Sequence, residues 1–182
     1  GLVGPGIRPI QDDVRIAGTA VTVLSHPGDN LMIHAAIEQC RDGDLLVVAT
    51  TSPSSDGAFG DLFATALKAR GVRGLVTSTG VRDTADLRAM GFPVWSSAVH
   101  AQGTVKATPG SVNVPIVVAG ATVRPGDVVI ADNDGVVVVP RERAADVLSA
   151  ADARVAKEAA DREAYGSGAE LSLDRKGLRP LL

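Results

Sequence analysis

The chain has 182 residues, 45% of them hydrophobic and only 3% aromatic, with a formal net charge of −3. That length suits one domain with at most a terminal extension, and the apolar fraction suffices for a core without disulfides or a structural metal. The acidic balance, the lack of a basic stripe and the scarcity of rings argue against nucleic acid as a partner. Cys40 is the single cysteine, which rules out an internal disulfide and permits a reducing compartment. No apolar run reaches the roughly 18–20 residues of a membrane span, so no membrane association is expected. The opening GLVGPGIRPI has neither a basic start nor a signal-like core, so the chain reads as mature, trimmed or incomplete at its start, and as cytoplasmic.

Residues Arg15–Leu24 alternate small and β-branched side chains and read as a strand. His26–Asn30 follows as a turn in which Asp29 or Asn30 can cap a helix over Leu31–Cys40. Arg41–Asp44 stops that helix, and Leu45–Thr51 is a buried-strand run. Ser52–Asp61 is too rich in Ser, Gly and Pro for regular structure, and Leu62–Arg70 is a helix closed by Gly71. Val72–Ser78 is the next buried strand, Thr84–Met90 a short helix ended by Gly91, and Val94–Ser97 another strand. This strand–helix alternation predicts an α/β fold with a largely parallel sheet. Further on, short β runs at Val105, Val112–Val118, Thr122–Val123, Val128–Ala131 and Val136–Val139 are set apart by turn residues. Asp134-Gly135 signals a hairpin. Arg141–Tyr165 predicts a long helix with apolar positions Ala144, Val147, Leu148, Ala151 and Val155. The leucine-rich tail from Gly166 is expected to pack on a neighbour.

The chemistry-bearing stretch is Gly57–Asp83. Gly57 and Gly60 let backbone approach a ligand, and the helix that starts at once leaves free N–H groups around Gly60, Asp61, Leu62 and Phe63, suited to a carboxylate or phosphate. The plainer alternative is a turn with Asp61 as the helix cap. Arg82 and Asp83 follow a strand's carboxyl end, where open α/β sheets bind ligands. Arg offers a permanently charged fork and Asp a hard oxygen ligand for Mg²⁺ or Mn²⁺, although Asp83 could also cap the next helix.

Gly60-Asp61, twenty residues, then Arg82-Asp83 resembles the signature of the class II pyruvate aldolases. Together with GDNLMIHAAIEQC (28–40), ARGVRGLVTSTGVRD (69–83), AQGTVKATPGSVNVPI (101–116) and PGDVVIADNDGVVVVP (125–140), it resembles 4-hydroxy-4-methyl-2-oxoglutarate / 4-carboxy-4-hydroxy-2-oxoadipate aldolase and the RraA-like proteins. The resemblance implies an α/β/β/α layered domain with mixed, partly parallel sheets over residues 1–165, and a C-terminal helical extension, 166–182, that packs on a neighbouring subunit. It implies backbone N–H groups of Gly60, Asp61, Leu62 and Phe63 on the pyruvate carboxylate, Arg82 on the keto oxygen, and Asp83 as the ligand of a divalent cation, Mg²⁺ or Mn²⁺. Asp61 would hydrogen-bond a water of that cation. Glu158 is the candidate for a glutamate supplied by a neighbouring subunit, with an ion pair to Arg154 or Arg162 as the alternative. Further expectations are a small 2-oxo acid substrate, a homotrimer or hexamer, a role in aromatic compound catabolism, and oxaloacetate decarboxylation as a side activity. A non-catalytic RraA-type regulator that binds a ribonuclease is the alternative function.

Other candidates carry less. His34 and Glu38 are four apart but belong to no two-histidine metal face, and His26 and His100 stand alone. Asp132–Gly135 echoes a calcium loop but lacks its other ligands, so a hairpin turn is the better reading.

Overall fold

The computed structural model describes residues 1–168 and 171–181, which divide into two compact units, Gly1–Arg141 and Glu142–Leu182. The first unit opens with strands β1 (Arg8–Pro9) and β2 (Ile16–Ser25), helix α1 (Leu31–Gln39) and β3 (Asp44–Thr50). It continues with β4 (Gly57–Phe59), α2 (Asp61–Ala69), β5 (Leu75–Val81), α3 (Thr84–Ala89) and β6 (Val94–Val99). Five short strands complete it: β7 (Ser111–Val112), β8 (Ile116–Val118), β9 (Ala121–Val123), β10 (Val128–Ala131) and β11 (Val136–Val139).

The main sheet runs β1-β6-β5-β3-β2-β10-β11, with β4 on β5 and β7 on β2. Its centre is parallel (β2–β3, β3–β5, β5–β6), and its two ends are antiparallel. The alternating elements predicted α/β with a largely parallel sheet and the family resemblance a mixed one; the sheet is mixed. Strand β3 is buried on both faces, which is why it reads as an unbroken apolar run. Leu46 and Val48 join Ile33, Ala36, Phe63, Leu67 and Leu87 in a core beneath the helices. Leu45, Val47 and Ala49 face the other way, into a core with Trp95, Ile116, Val118 and Val123. The period-2 alternation of one strand thus feeds two cores, helices on one side and the β8–β9 ribbon on the other. Cys40 is 1% exposed in the helical core, and burial pushes its thiol up to about 11.

The expected run Val112–Val118 is two strands, Val105 forms only an isolated bridge, and two boundaries nearer the motif also depart from expectation. The stretch 52–61 is not wholly irregular, because Gly57–Phe59 pairs with the end of β5. Strand β5 runs from Leu75 to Val81 instead of over 72–78, so Thr79, Gly80 and Val81 extend the sheet up to Arg82. Glycines make this possible: a Cβ on Gly80 would lie 2.0 Å from the Ser55 carbonyl oxygen, and one on Gly57 2.3 Å from that of His100. The Asp134-Gly135 hairpin is as expected, with β10 and β11 antiparallel and the Asp132 carboxylate accepting from the N–H groups of Asp134 and Gly135.

The second unit holds α4 (Ala144–Gly166), entered through a 3-10 turn at Arg141–Arg143, and α5 (Ser172–Arg175). Within it Val147, Leu148 and Val155 are exposed. The tail folds back on α4 through Asp161, which is 8% exposed and pairs with Arg175 at 2.6 Å and with Lys176. Those hydrogen bonds, Lys176 first and then Arg175, lower Asp161 to about 2. A carboxylate depressed in the folded state adds stability above its unfolded pKa, near 3.8, and loses it as pH falls through about 2. Asp161→Asn is therefore expected to release residues 172–178 at pH 7, as read by their amide chemical shifts. The wild-type tail should give those shifts only on strong acidification. Among the described residues, no helix is long and apolar enough to cross a membrane.

Candidate active site

The pairing of β4 with β5 brings two chain segments to one point. Phe59 sits opposite Val81, and the Arg82 N–H donates to the Phe59 carbonyl at 2.9 Å. Beyond this pair one chain turns into α2 at Gly60-Asp61 and the other into α3 at Arg82-Asp83. Gly60 is the N-cap of α2 in an extended conformation (φ −151°, ψ −168°), so Asp61 is the first helical residue and not its cap. Asp83 precedes α3 in the left-handed region (φ 56°, ψ 36°), one of the few non-glycine residues that tolerate it. It makes no side-chain cap for α3. Its carboxylate turns back instead, and Oδ2 accepts from the Asp61 N–H at 3.3 Å and lies 3.5 Å from Arg82 Nε.

Gly60 is required by this arrangement for space. A Cβ there would stand 2.2 Å from Asp83 Oδ2 and 3.2 Å from Arg82 Nε. Backbone, carboxylate and guanidinium are therefore packed against a face with no side chain. Ala64 donates to the Gly60 carbonyl at 3.2 Å, while among the described residues the N–H groups of Leu62 and Phe63 have no recorded partner. They form the positive end of the α2 dipole, which favours an anion. Leu62 is exposed and Phe63 buried, with the Phe63 ring 4.5 Å from that of His34 and 5.6 Å from that of Phe59.

A recess of about 170 Å³ opens beside this turn, its wall including Asn30, His34, Gly60, Phe63, Arg82 and Lys106. Partial desolvation, then the charge of Lys106, push the His34 pKa below its ordinary value, so the imidazole is neutral at pH 7. Asn30 is 3% exposed and donates to the Ala58 carbonyl at 3.1 Å, while its Oδ1 finds no partner among the described residues. Asn30, His34 and Lys106 are absent from the residues that the sequence motif singles out. What brings them in is a long-range strap: Asn30 N–H donates to the Val105 carbonyl at 3.0 Å, and Val105 N–H to that of Gly28 at 3.0 Å.

Among the described residues, no three His, Cys, Asp or Glu side chains converge to hold a metal ion. One carboxylate with a second nearby nevertheless fits a hydrated Mg²⁺-type cation, which keeps most of its waters and takes one or two protein oxygens. Asp83 offers the carboxylate such a cation would need, beside a face that any Cβ would fill, and Asp61 begins the adjoining helix. Glu158 lies in the second unit, where it accepts from Arg154 at 2.8 Å and from Arg162 at 3.4 Å. These hydrogen bonds and charges, Arg154 foremost, lower its pKa.

Residues 1–138 match the family model described as RraA-like: Aldolase/RraA. A Halalkalibacterium halodurans protein named "Putative 4-hydroxy-4-methyl-2-oxoglutarate aldolase" is 31% identical over 158 residues, 87% of this chain and 73% of that protein. A Burkholderia multivorans protein of the same name is 34% identical over 137 residues, 75% of this chain and 83% of that one. Among solved structures, an uncharacterized protein from Pseudomonas syringae pv. tomato str. DC3000 superposes with a TM-score of 0.87 at 30% identity, covering 97% of this chain and 82% of that one. Streptomyces coelicolor RraAS2, described as an unusual member of the RNase ES inhibitor RraA protein family, gives 0.80 at 27% identity, covering 89% and 84%.

Proposed function

Since this chain belongs to the RraA-like family, we propose that it is a divalent-metal-dependent aldolase that cleaves 4-hydroxy-2-oxo acids and releases pyruvate. The observation that carries the reading is the turn of Asp83 and Arg82 back onto Gly60-Asp61, with Asp83 Oδ2 3.3 Å from the Asp61 N–H and 3.5 Å from Arg82 Nε. Its substrates would be 4-hydroxy-4-methyl-2-oxoglutarate, the compound in its relatives' names, or 4-carboxy-4-hydroxy-2-oxoadipate, with a role in aromatic compound catabolism.

Breaking the C3–C4 bond leaves an electron pair that must rest on the 2-keto oxygen as an enolate. Backbone N–H groups of the Gly60–Phe63 turn, foremost those of Leu62 and Phe63, would hold the substrate carboxylate at the α2 N-terminus and fix the keto oxygen toward Arg82. The guanidinium binds that oxygen more strongly as it becomes negative, so it lowers the barrier and not only the ground state. Asp61 orients the water that takes the C4 hydroxyl proton, and C4 leaves as a carbonyl while a proton returns to C3 to give the pyruvate methyl. Asp83 would hold Mg²⁺ or Mn²⁺, which supplies positive charge at the keto oxygen as a Lewis acid. Lys106 is exposed, unlike the desolvated lysines that form imines, which disfavours a Schiff-base route. Oxaloacetate would lose CO₂ through the same enolate.

The assembly we propose is a homotrimer or a dimer of trimers in the cytoplasm, with residues 1–165 as the catalytic part. The 166–182 extension would lie on a neighbour, and Glu158 would reach that neighbour's site. The exposed Val147, Leu148 and Val155 on α4 support an assembly in which that helix is covered. The second reading, a regulator that binds a ribonuclease, draws on the likeness to the Streptomyces inhibitor-family protein. One assay separates them. Pyruvate release from 4-hydroxy-4-methyl-2-oxoglutarate is expected with Mg²⁺ or Mn²⁺, to be abolished by a chelator and restored by added metal. A folded protein that releases none with either metal would favour the regulator.

A further inference from the structure

We propose that Gly103 is a positioning residue for Arg82: the strap between β6 and β7 closes a glycine-lined channel that aims the guanidinium, and Asp29 anchors that strap. This rests on Arg82 receiving the keto oxygen of the substrate. The guanidinium has little else to hold it. Its side chain is 42% exposed, and the ion pair with Asp83 is 3.5 Å long, too weak a contact to fix a long side chain. What surrounds it is backbone. A Cβ on Gly57 would lie 3.2 Å from Arg82 Cβ, one on Gly60 3.3 Å from Cγ and 3.2 Å from Nε, and one on Gly103 3.2 Å from Nη1. Three glycines from separate segments thus line the side chain from root to tip. Each distance is shorter than the roughly 3.5–4.0 Å of an ordinary contact, so a side chain at any of them would push Arg82 out of place.

Gly103 differs from the other two because it reaches Arg82 from the strap, and the strap is held on both sides of it. On one side the Gly57 N–H donates to the Gln102 carbonyl at 2.8 Å, and on the other Val105 is tied to Gly28 and Asn30 by two backbone hydrogen bonds. Further along, Asp29, 3% exposed, accepts at Oδ2 from the N–H groups of Ala107 at 2.9 Å and Thr108 at 2.7 Å, and at Oδ1 from Leu31 at 2.8 Å. A buried carboxylate is costly unless its lone pairs are met, and here the amides of the strap meet two of them. The backbone at residue 103 does not itself call for glycine, since its φ lies outside the left-handed region. Among the described residues, and apart from its chain neighbours, Arg82 Nη1 is the one heavy atom within 4 Å of the added Cβ. The missing side chain therefore leaves room for the guanidinium and for nothing else.

Steady-state kinetics of pyruvate release from 4-hydroxy-4-methyl-2-oxoglutarate in Mg²⁺ reads this. A methyl at residue 103 displaces the guanidinium by roughly half of the 1 Å that costs about 100-fold, so Gly103→Ala is expected to lower kcat about tenfold. Gly103→Val should lower it further. KM and the melting temperature should stay close to wild type in both, because the guanidinium acts most on the transition state. In an Arg82→Ala background neither substitution should lower kcat again, a result that a blocked recess or a loosened fold would not give. Asp29→Asn, or Ala107→Pro, which removes one donor without touching the buried acid, should lower kcat in the same way, and only while Arg82 is present. If the wild type releases no pyruvate, the aldolase reading is wrong and the role of Gly103 falls with it. An active wild type whose Gly103 variants keep its kcat overturns the positioning role alone. A loss that persists without Arg82 shows that Gly103 acts on something else and overturns it too. Wild-type kcat in both Asp29→Asn and Ala107→Pro overturns Asp29 as the anchor.

Discussion

Arg82→Ala is expected to lower kcat for pyruvate release by about 100- to 1000-fold, the effect of removing one donor from a developing oxyanion. The side chain is 42% exposed and its ion pair with Asp83 is long, at 3.5 Å, so little folding stability depends on it. The loss should therefore fall on the rate, with the melting temperature nearly unchanged. Arg82→Lys restores the charge but not the planar fork, and recovery should be partial. Steady-state kinetics beside a thermal melt checks this. A variant that keeps wild-type kcat would remove Arg82 from the chemistry.

Gly60→Ala is expected to be nearly as damaging, although residue 60 offers no side chain to the reaction. The backbone there is extended and any residue could adopt it, so the effect is one of space. The new methyl would meet Asp83 Oδ2 at 2.2 Å, and the flexible carboxylate would swing away. That breaks its bond with the Asp61 N–H and displaces it from the guanidinium. A shift of about 1 Å in such a group costs roughly 100-fold. Activity should fall by that order and the metal requirement should rise, while circular dichroism and melting remain close to wild type. Loss of folding in place of loss of metal response would count against this account.

Much of the fold was legible because its signals are local. The apolar run Leu45–Thr50 and the Asp134-Gly135 turn both encode their elements within a few residues. The site was legible in part: the spacing of Gly60-Asp61 and Arg82-Asp83 marks two segments but not their meeting. The meeting is made by β4, a three-residue strand inside a Ser- and Gly-rich stretch, and propensity cannot foresee a strand held by pairing with Gly80 and Val81. The capping alternatives for Asp61 and Asp83 were decided by where α2 begins and by where Asp83 points. Lys106 lay further from view, since the backbone strap between Val105 and the Gly28–Asn30 turn is what brings it to the recess.

The left-handed backbone of Asp83 also bears on how chemistry can be gained or lost on this scaffold. Asn and Gly accept φ near 56° at least as readily as Asp, whereas a β-branched residue would strain the turn. A single base change toward Asn would thus silence the proposed cation site and leave the architecture intact. On the proposed mechanism, two proteins that share every strand would differ in turnover through the residue at this one bend alone.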